Sequence, residues 1–295
     1  TDTNGVFYGD GGKVANINLL CQENNGTITN IVIGDKSQTI QLTSRDLVVV
    51  MSFIANNNNG LISNVQNNYN VQIEDAYRNN QRNIQFASLV INNYSRVEYV
   101  KNNGSIDITG SNISVGGLVA YNTKGAKITA GANAGNITIY YNKAEISYIG
   151  GLVAKNDNGE LSYCYATGKF DISASGTCVA KVGGLVGWSV NDKISYSYVN
   201  VTMTTTITNF NMYQVIGQLD SSQNQANNVY YKKSSTFAGV NGSASSGFKT
   251  YTNLPTEDGV DLYSGDSLFN KSDVDSNKNP RLNYEAAFEN ITWKD

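Results

Sequence analysis

The chain has 295 residues, a net charge of −3 and no His, and 40% of its residues are hydrophobic. This hydrophobic content suffices for a packed core and excludes a wholly disordered chain, while the slightly acidic balance argues against nucleic acid as the main partner. The absence of His excludes Ser-His and Cys-His nucleophile pairs and His-based zinc sites. The 42 Asn, 28 Gly and 19 Tyr residues favour turns and strands, so the composition predicts an all-β protein.

Residues 1–15 precede the repeated part of the chain and are predicted to form an N-terminal cap, because a solenoid must block its exposed end coils. Since the chain starts at Thr1, we expect a processed product or a part of a longer chain. The longest apolar stretch is Leu47–Met51 continuing through Phe53–Ala55, which is shorter than the roughly 20 residues of a membrane span. No membrane span is therefore expected.

A repeated segment fills the central part of the chain, residues 16–231. Its three clearest copies contain Gly-Gly-Leu-Val, and their anchor residues, Leu118, Leu152 and Leu185, are 34 and 33 residues apart. Weaker copies extend the series in both directions, with anchors at Leu19, Phe53, Leu89 and Val215.

Two further columns support this register. Four residues after the anchor, an Asn recurs at Asn57, Asn93, Asn122 and Asn156. Seven residues after the anchor, a Gly recurs at Gly26, Gly60, Gly125 and Gly159. The pattern predicts an anchor strand, an Asn-Gly turn and then the next strand.

The repeat length selects among known repeat architectures. Ankyrin and tetratricopeptide arrays need helical runs that this sequence lacks, and kelch propeller blades are longer, at about 50 residues. The remaining architecture is a β-solenoid, in which each coil adds short strands that stack in parallel about 4.8 Å from the next coil. We expect about seven coils, with Leu118, Leu152 and Leu185 in one buried vertical row.

The pattern Gly-Gly-Leu-Val-(Ala/Gly)-x-Asn, followed by Asn-Gly and (Leu/Ile)-Ser-Tyr-x-Tyr, resembles the GLUG repeat. Leu152–Gly168 and Leu185–Val199 match it best. The resemblance implies a right-handed parallel β-helix. It also implies a place in bacterial surface and secreted proteins, including adhesins and the accessory regions of immunoglobulin-A-type zinc proteases. It supplies no catalytic residue.

Residues 232–295 lie beyond the repeats and are predicted to form a C-terminal cap packed on the last coil. The best short helix is expected there, at Tyr284–Asn290. Asp273–Asn279 has the ligand spacing of a calcium loop, but Lys278 stands where the sharp turn needs Gly, and Tyr284 where the loop needs Glu. A solvated polar turn is the preferred interpretation, so neither a metal nor a cofactor is predicted.

Enzyme chemistry finds little support in the coils. Polysaccharide hydrolysis needs two carboxylates held about 5–10 Å apart, and the acids of the coils are isolated, with no Asp-Asp pair in the sequence. The tyrosines of two successive copies alternate with aliphatic anchors. They are predicted to stack in the core rather than to form a sugar-binding platform: Tyr163, Tyr165, Tyr196 and Tyr198.

The cysteines are Cys21, Cys164 and Cys178. They are too few and too scattered for a disulfide scaffold, and an odd number cannot fully pair. We expect three small buried hydrophobes, and a bridge between Cys164 and Cys178 stays open.

Four successive coils carry a triplet of a polar, an aliphatic and a hydroxyl residue. Strand alternation places the central residues on the core side: Ile108, Ile137, Ile172 and Val201. Stacking then predicts a polar outer face with one Asp/Asn column and one Thr/Ser column, in which the Asn136 coil separates Asp107 from Asp171. This candidate binding face consists of Asp107, Thr109, Asn136, Thr138, Asp171, Ser173, Asn200 and Thr202. Its alternative is an ordinary solvated surface.

These features predict a non-enzymatic β-solenoid, extracellular or at a cell surface, that is an adhesive or structural module of a larger assembly. The expected partner is a protein or glycan at a cell surface, or further copies in an extracellular assembly. The alternatives are an accessory region of a surface protease or carbohydrate-active enzyme, and a glycan-binding module.

Overall fold

The structure, a computed structural model, describes residues 6–8, 14–45, 48–75, 83–142, 146–175, 178–207, 212–220, 225–234, 236–241, 246–252, 262, 267–270, 273 and 279–289. Within these ranges, the strands pair in parallel with the strands of the preceding and following coils. The predicted parallel β-solenoid is thereby confirmed. Each coil passes through four strand positions, named faces 1 to 4 in chain order, and the coils are numbered from the N-terminus.

Faces 1 and 2 contain seven strands each, which enclose six turns from the first strand to the seventh. Face 1 consists of β2 (Val14–Asn18), β6 (Val48–Ser52), β10 (Asn83–Ala87), β14 (Asn112–Gly116), β18 (Ile146–Gly150), β22 (Val179–Gly183) and β25 (Met212–Tyr213). Face 2 consists of β3 (Cys21–Asn24), β7 (Ala55–Asn58), β11 (Val90–Asn93), β15 (Val119–Asn122), β19 (Val153–Asp157), β23 (Val186–Val190) and β26 (Ile216–Leu219).

Faces 3 and 4 merge into one sheet in the later coils, because β21 (Tyr165–Ala174) and β24 (Lys193–Thr205) run through both. Face 3 also contains β4 (Thr27–Ile33), β8 (Leu61–Asn67), β12 (Arg96–Asn102), β16 (Lys127–Asn133), β20 (Glu160–Ser162), β27 (Gln225–Lys232) and β28 (Phe248–Tyr251). Face 4 also contains β1 (Val6–Tyr8), β5 (Thr39–Arg45), β9 (Asn70–Asp75), β13 (Ile106–Gly110) and β17 (Ile137–Tyr141). The right-handed winding stays a prediction.

The predicted row of anchor leucines is confirmed. Leu118, Leu152 and Leu185 are fully buried at the corner between faces 1 and 2. The backbone N–H of Leu118 donates to the Leu152 carbonyl, and that of Leu152 to the Leu185 carbonyl, at 2.9 Å each. In the second coil the row continues through Ile54, not the predicted Phe53, because the Ile54 N–H bonds to the Leu89 carbonyl. Because Phe53 and Ile54 are adjacent and both apolar, the sequence did not show which of them aligns with Leu89.

The Gly-Gly pairs exist because neighbouring coils touch through their backbones at this corner. A β-carbon on Gly117 would lie 1.9 Å from the Gly151 carbonyl oxygen, and one on Gly151 would lie 1.9 Å from the Gly184 oxygen. Real β-carbons do not approach backbone atoms so closely. Each pair therefore permits the coil spacing that the parallel hydrogen bonds require.

In the turn between faces 2 and 3 the repeated Gly has more than one role, since Gly125 has a φ of 83° and no atom near its β-carbon position, whereas Gly60 is closely packed. A β-carbon on Gly60 would lie 2.0 Å from the Gly26 oxygen. The left-handed residue of the strongest copy is Asn158, with a φ of 59°, and not the following Gly159. The expected Asn-Gly turn is present. At Gly60 and Gly159, close contacts with neighbouring coils, rather than a positive φ, require glycine.

Asparagine side chains connect the coils through a buried hydrogen-bonded ladder. It runs through Asn24, Asn58, Asn93, Asn122 and Asn156, and each Nδ2 donates to the Oδ1 of the next residue at 2.7–2.8 Å. The second coil contributes Asn58 and not the predicted Asn57, which repeats the one-residue shift of the anchor.

A second ladder joins the ends of face 3, where Asn67 donates to Asn102 at 2.7 Å and Asn102 donates to Asn133 at 2.8 Å. Since an unpaired buried amide is destabilising, each ladder sets which coils can stack together.

The predicted tyrosine stacks form, but not inside the solenoid. Tyr163 stacks on Tyr196 and Tyr165 on Tyr198, each pair with ring centroids 5.1 Å apart. Tyr165 and Tyr198 are buried in a cluster separate from the main core, against Phe269 of the C-terminal segment. The prediction of core aromatics was therefore wrong in location, because a later segment of the chain supplies the burial.

The described C-terminal segment, residues 267–270 and 279–289, returns along the side of the solenoid. The Tyr198 hydroxyl of the sixth coil donates to the Pro280 carbonyl at 2.7 Å. The Tyr284 hydroxyl donates to the Val100 carbonyl of the third coil at 2.7 Å. The predicted helix is present as α1 (Glu285–Glu289). Two segments after the repeats stack on the last coil: β28 pairs with β27, and the Val215 N–H donates to the Gly239 carbonyl at 2.7 Å, next to a parallel bridge between Ile216 and Val240.

Glu285 anchors this segment. Its carboxylate is 2% exposed, forms an ion pair with Lys101, and accepts a 2.9 Å hydrogen bond from the Tyr165 hydroxyl. Burial, followed by the neighbouring Glu285 charge, raises the pKa of Tyr165 well above its ordinary value, so this hydroxyl stays protonated and donates.

Candidate binding surfaces

The predicted polar residues lie on the outer side of face 4 and of the strand that leads into it. The central residues of the four triplets are buried, as predicted: Ile108, Ile137, Ile172 and Val201. The eight flanking residues are all partly or fully exposed. Strand alternation therefore predicted correctly which side chains point outward.

The predicted columns are wrong in register. Thr138, and not Asn136, pairs with Asp107 on one side and Asp171 on the other. The sixth coil continues this column with Thr204, since Asp171 pairs with Thr204. The observed column consists of Gln41, Gln72, Asp107, Thr138, Asp171 and Thr204. The neighbouring column consists of Thr43, Glu74, Thr109, Tyr140 and Ser173.

The other predicted residues sit two residues earlier along the strand or further away. The Lys169 N–H of the fifth coil donates to Asn136 Oδ1 at 2.9 Å, and Lys169 pairs with Thr202. Asn200 donates to Asn279 Oδ1 at 2.6 Å and so contacts the C-terminal segment. Asn200 is thereby separated from the open part of face 4.

The two aspartates of face 4 have different environments. Asp171 accepts a 2.9 Å hydrogen bond from Lys169 Nζ, which lowers the pKa of its carboxyl. Partial burial instead raises the pKa of Asp107. The two lie two coils apart, as expected, with Thr138 between them. The column therefore avoids direct stacking of like charges.

The calcium-loop pattern falls mostly on residues 274–278, which lie outside the described residues. Its first residue, Asp273, is paired with Arg281: Oδ2 is 3.0 Å from Nε and Oδ1 is 3.0 Å from Nη2. Asp273 is thus engaged by a guanidinium. In the described part of the chain, no three His, Cys, Asp or Glu residues are grouped so as to hold a metal ion.

The three cysteines are free thiols. Cys164 is buried as predicted, while Cys21 and Cys178 are partly buried against the core. Burial raises the pKa of both Cys164 and Cys178 to about 12. Among the described residues, no helix has the length and apolar character to cross a membrane.

A concave groove that the sequence did not reveal runs between the outer sides of faces 1 and 2. A small apolar cluster of residues from both faces, separate from the main core, has Tyr121 packed against it and consists of Val50, Ala87, Ile91 and Ala120. In the sixth coil, a β-carbon on Gly187 of face 2 would lie 2.8 Å from the Ile149 nitrogen of face 1. Small residues thus let the two faces approach each other closely. The longer side chains that point outward from each face then form the two walls of the groove.

Three aromatic residues project from these walls. Tyr148 of face 1 stacks on Trp188 of face 2, with ring centroids 5.2 Å apart and an interplanar angle of 20°. Lys155 Nζ lies 4.0 Å from the Trp188 ring centroid, and the Trp188 indole N–H donates to Asp220 at 2.5 Å. The third aromatic, Tyr121, lies in the adjoining coil.

Next to this stack is a cleft of about 260 Å³, lined by Asn83, Ile84, Gln85, Asn112, Ser114, Tyr121, Ile146 and Tyr148. Burial raises the pKa of Tyr121, although a hydrogen bond with Ser114 opposes the shift. Burial, followed by the neighbouring Tyr121 and Asp220, also raises the pKa of Tyr148. Both phenols are therefore neutral and can donate hydrogen bonds.

Comparison with known families finds the GLUG motif at residues 146–173. The match begins at the first residue of β18 and ends within β21, so the motif corresponds to one coil that passes through all four faces. No curated protein and no solved structure matches this chain. The resemblance predicted from the sequence is thus confirmed for one central coil.

Proposed function

We propose that this GLUG-motif solenoid is a non-enzymatic, extracellular or cell-surface module with an adhesive or structural role in a larger assembly. The observation that carries the proposal is the open, outward side of face 4, where hydroxyl, amide and acidic side chains recur coil after coil. A repeating polar surface fits a repeating partner, such as a glycan-rich surface or another solenoid. The GLUG motif supports this assignment by family resemblance.

The environment of the acidic residues supports a role without catalysis. Asp107 and Asp171 stand on an open sheet face, and Asp171 is neutralised by Lys169. A general acid in glycoside hydrolysis needs a carboxyl with a raised pKa opposite a second, ionised carboxylate. The pKa of Asp107 is raised and that of Asp171 is lowered, but the Asp171 carboxylate is bound by Lys169, and both side chains project from the same sheet face, with Thr138 between them, rather than facing each other across a sugar.

The test compares two triple variants of the full chain. The first carries Thr109→Lys, Thr138→Lys and Ser173→Lys on face 4, and the control carries Thr27→Lys, Thr29→Lys and Gln225→Lys at exposed positions of face 3. Biolayer interferometry on immobilised mucin measures adhesion, and sedimentation velocity measures self-association.

We expect the face 4 variant to lose at least about tenfold in one of these two measurements, since three long cationic side chains replace small hydroxyls and change both the shape and the charge of the face. The control variant should match the wild type. Equal behaviour of the two variants, with both folded, would show that face 4 is only solvated surface.

A further inference from the structure

The groove between faces 1 and 2 is independent of face 4 and has a different chemistry. Its cleft is lined by two tyrosine rings, three amide side chains, one hydroxyl and two aliphatic side chains, none of which carries a charge at neutral pH. Aromatic walls with a few convergent polar groups are typical of ligand-binding sites rather than of ordinary surface.

The amide groups at the rim have unused hydrogen-bonding capacity. Asn112 Nδ2 donates to Asn83 Oδ1 at 2.6 Å. This bond uses neither the amide hydrogens of Asn83 nor the carbonyl oxygen of Asn112, and these groups can bond a ligand. Donors and acceptors placed side by side suit a ligand that carries hydroxyl groups, because each hydroxyl both donates and accepts.

The ring of Tyr148 is positioned by its surroundings. One face packs on Trp188, whose ring is in turn held by Lys155 and by the hydrogen bond to Asp220. Among the described residues, two lysines of the outward columns next to the cleft are also engaged: Lys155 pairs with Asp157 at 3.7 Å, and Lys181 Nζ donates to Gln218 at 3.0 Å. A stacking surface held in place in this way loses little freedom when a ligand binds.

We infer that this groove binds a neutral polysaccharide chain that lies along the solenoid axis, with a sugar ring packed on Tyr148 and its hydroxyls bonded to Asn83 and Asn112. The C–H face of a sugar ring is apolar and fits an aromatic ring, while the surrounding hydroxyls fit the amides. A phosphate-bearing or polyuronic chain would instead require free cations in the cleft. The outward columns next to the cleft continue into neighbouring coils, through Tyr121, Lys155 and Trp188 on face 2 and through Ser114, Tyr148 and Lys181 on face 1, so a polymer has side chains to contact beyond one sugar.

Isothermal titration calorimetry on the full chain tests the assignment with cellohexaose and mannohexaose as neutral probes and hexagalacturonic acid as the charged probe. We expect at least one neutral probe to bind. Tyr148→Ala should weaken its binding by roughly tenfold through loss of the aromatic contact, and Tyr148→Phe should stay within about twofold of wild type. The matched control is Tyr94→Ala, at a tyrosine between β11 and β12 that is 51% exposed and lies outside both proposed surfaces.

A second variant keeps the test valid if Tyr148→Ala unfolds. Asn83 is exposed, so Asn83→Ala should leave the melting temperature unchanged and still weaken binding several-fold. The assignment fails if neither neutral probe binds, or if Tyr148→Ala and Tyr94→Ala behave alike. It also fails if hexagalacturonic acid or a proline hexapeptide binds in a Tyr148-dependent way while the neutral sugars do not.

Discussion

The coils and the C-terminal segment are held by opposite kinds of contact. In the coils, the same contact recurs between neighbours, as in the ladder step from Asn93 to Asn122 and the next from Asn122 to Asn156. In the C-terminal segment each contact occurs once and joins distant parts of the chain, as between Glu285 and Lys101. The first kind leaves a periodic trace in the sequence, and the second kind leaves none.

This difference has consequences for stability. A solenoid is stabilised by the interfaces between neighbouring coils. A destabilising substitution within one coil therefore weakens its interfaces with both neighbours and disrupts the stack at that coil. The C-terminal segment contacts the third, fifth and sixth coils through separate side chains. Its loss should expose a lateral surface without breaking the stack. The variants below separate these two behaviours, in order of decreasing effect on the solenoid.

Replacing Leu152 with Asp should have the largest effect. Leu152 is fully buried in the anchor row between two coils, and an unpaired buried charge is among the most destabilising single changes. We expect a loss of more than about 4 kcal/mol and failure to fold. Circular dichroism and urea titration measure this. Thr138→Asp places the same charge on the exposed side of face 4 and should fold; a cooperative, wild-type-like transition for Leu152→Asp would contradict the anchor row.

Replacing Asn122 with Ala should have the next largest effect, because Asn122 is in the middle of the buried ladder. Its removal leaves the Asn93 amide hydrogen and the Asn156 oxygen without their bonds. Two unsatisfied buried groups imply about 2–4 kcal/mol. Asn92→Ala, which removes the more exposed bond to Asn57, should lose less than about 1 kcal/mol. Equal losses in urea denaturation would mean that the ladder does not stabilise the stack.

Replacing Gly151 with Ala tests backbone approach between coils. The new β-carbon would lie 1.9 Å from the Gly184 oxygen, whereas a β-carbon on Gly26 would have no atom within 4 Å. We expect Gly151→Ala to lose about 1–3 kcal/mol through overpacking. Gly26→Ala should be neutral or stabilise by up to about 1 kcal/mol. Matched melting temperatures for the two variants would refute the steric explanation of the Gly-Gly pair.

Replacing Asp192 with Asn tests the end of the ladder. There, Ser189 takes the position that Asn156 has in the preceding coil, and its hydroxyl donates to the Asp192 carboxylate. Burial raises the pKa of Asp192 well above its ordinary value, so the folded state is penalised once pH exceeds the unfolded pKa of about 4. Lowering the pH from 7 toward 5 should therefore stabilise the wild type through this group. Asp192→Asn should reduce that pH dependence in thermal denaturation. An unchanged slope of stability against pH would assign the effect to other carboxyls.

Replacing Glu285 with Gln should have the smallest effect on the solenoid. The change breaks the buried ion pair with Lys101 and weakens the bond to Tyr165, which destabilises the docked segment by about 3 kcal/mol or more. Limited proteolysis should cut the C-terminal segment faster, while the main unfolding transition stays in place. Glu98→Gln, at a surface ion pair with Arg96, is the control. A shift of the main transition would show that the segment is part of the solenoid's cooperative unit.

The sequence predicted which residues face outward better than it predicted which residues of neighbouring coils pair with each other. Ile106 and Ile108 both face the core, as do Ile137 and Ile139. A shift of two residues along a strand keeps every side chain on its own face, so the alternation could not distinguish Thr138 from Asn136 as the neighbour of Asp107. Only a shift of one residue would have reversed the burial and been excluded.

The groove was missed for a related reason. Tyr121 and Trp188 occupy the same repeat position on face 2, two coils apart, whereas Tyr148 is on face 1 of the coil between them, 27 and 40 residues away, and these spacings match no repeat. They meet because small residues such as Ala120 and Gly187 bring faces 1 and 2 together. The useful signal would have been a small residue directly before an outward aromatic, as in Ala120-Tyr121 and Gly187-Trp188.

By itself, the sequence determined the all-β class, the stacking of coils and the buried anchor row, because each follows from a local pattern that every coil must repeat. The tertiary structure decided the register on face 4, the concave meeting of faces 1 and 2, and the course of the C-terminal segment. Each of these depends on contacts between residues far apart in the chain. Such contacts are selected by packing and by the pairing of buried polar groups such as Glu285, and neither leaves a periodic trace in the sequence.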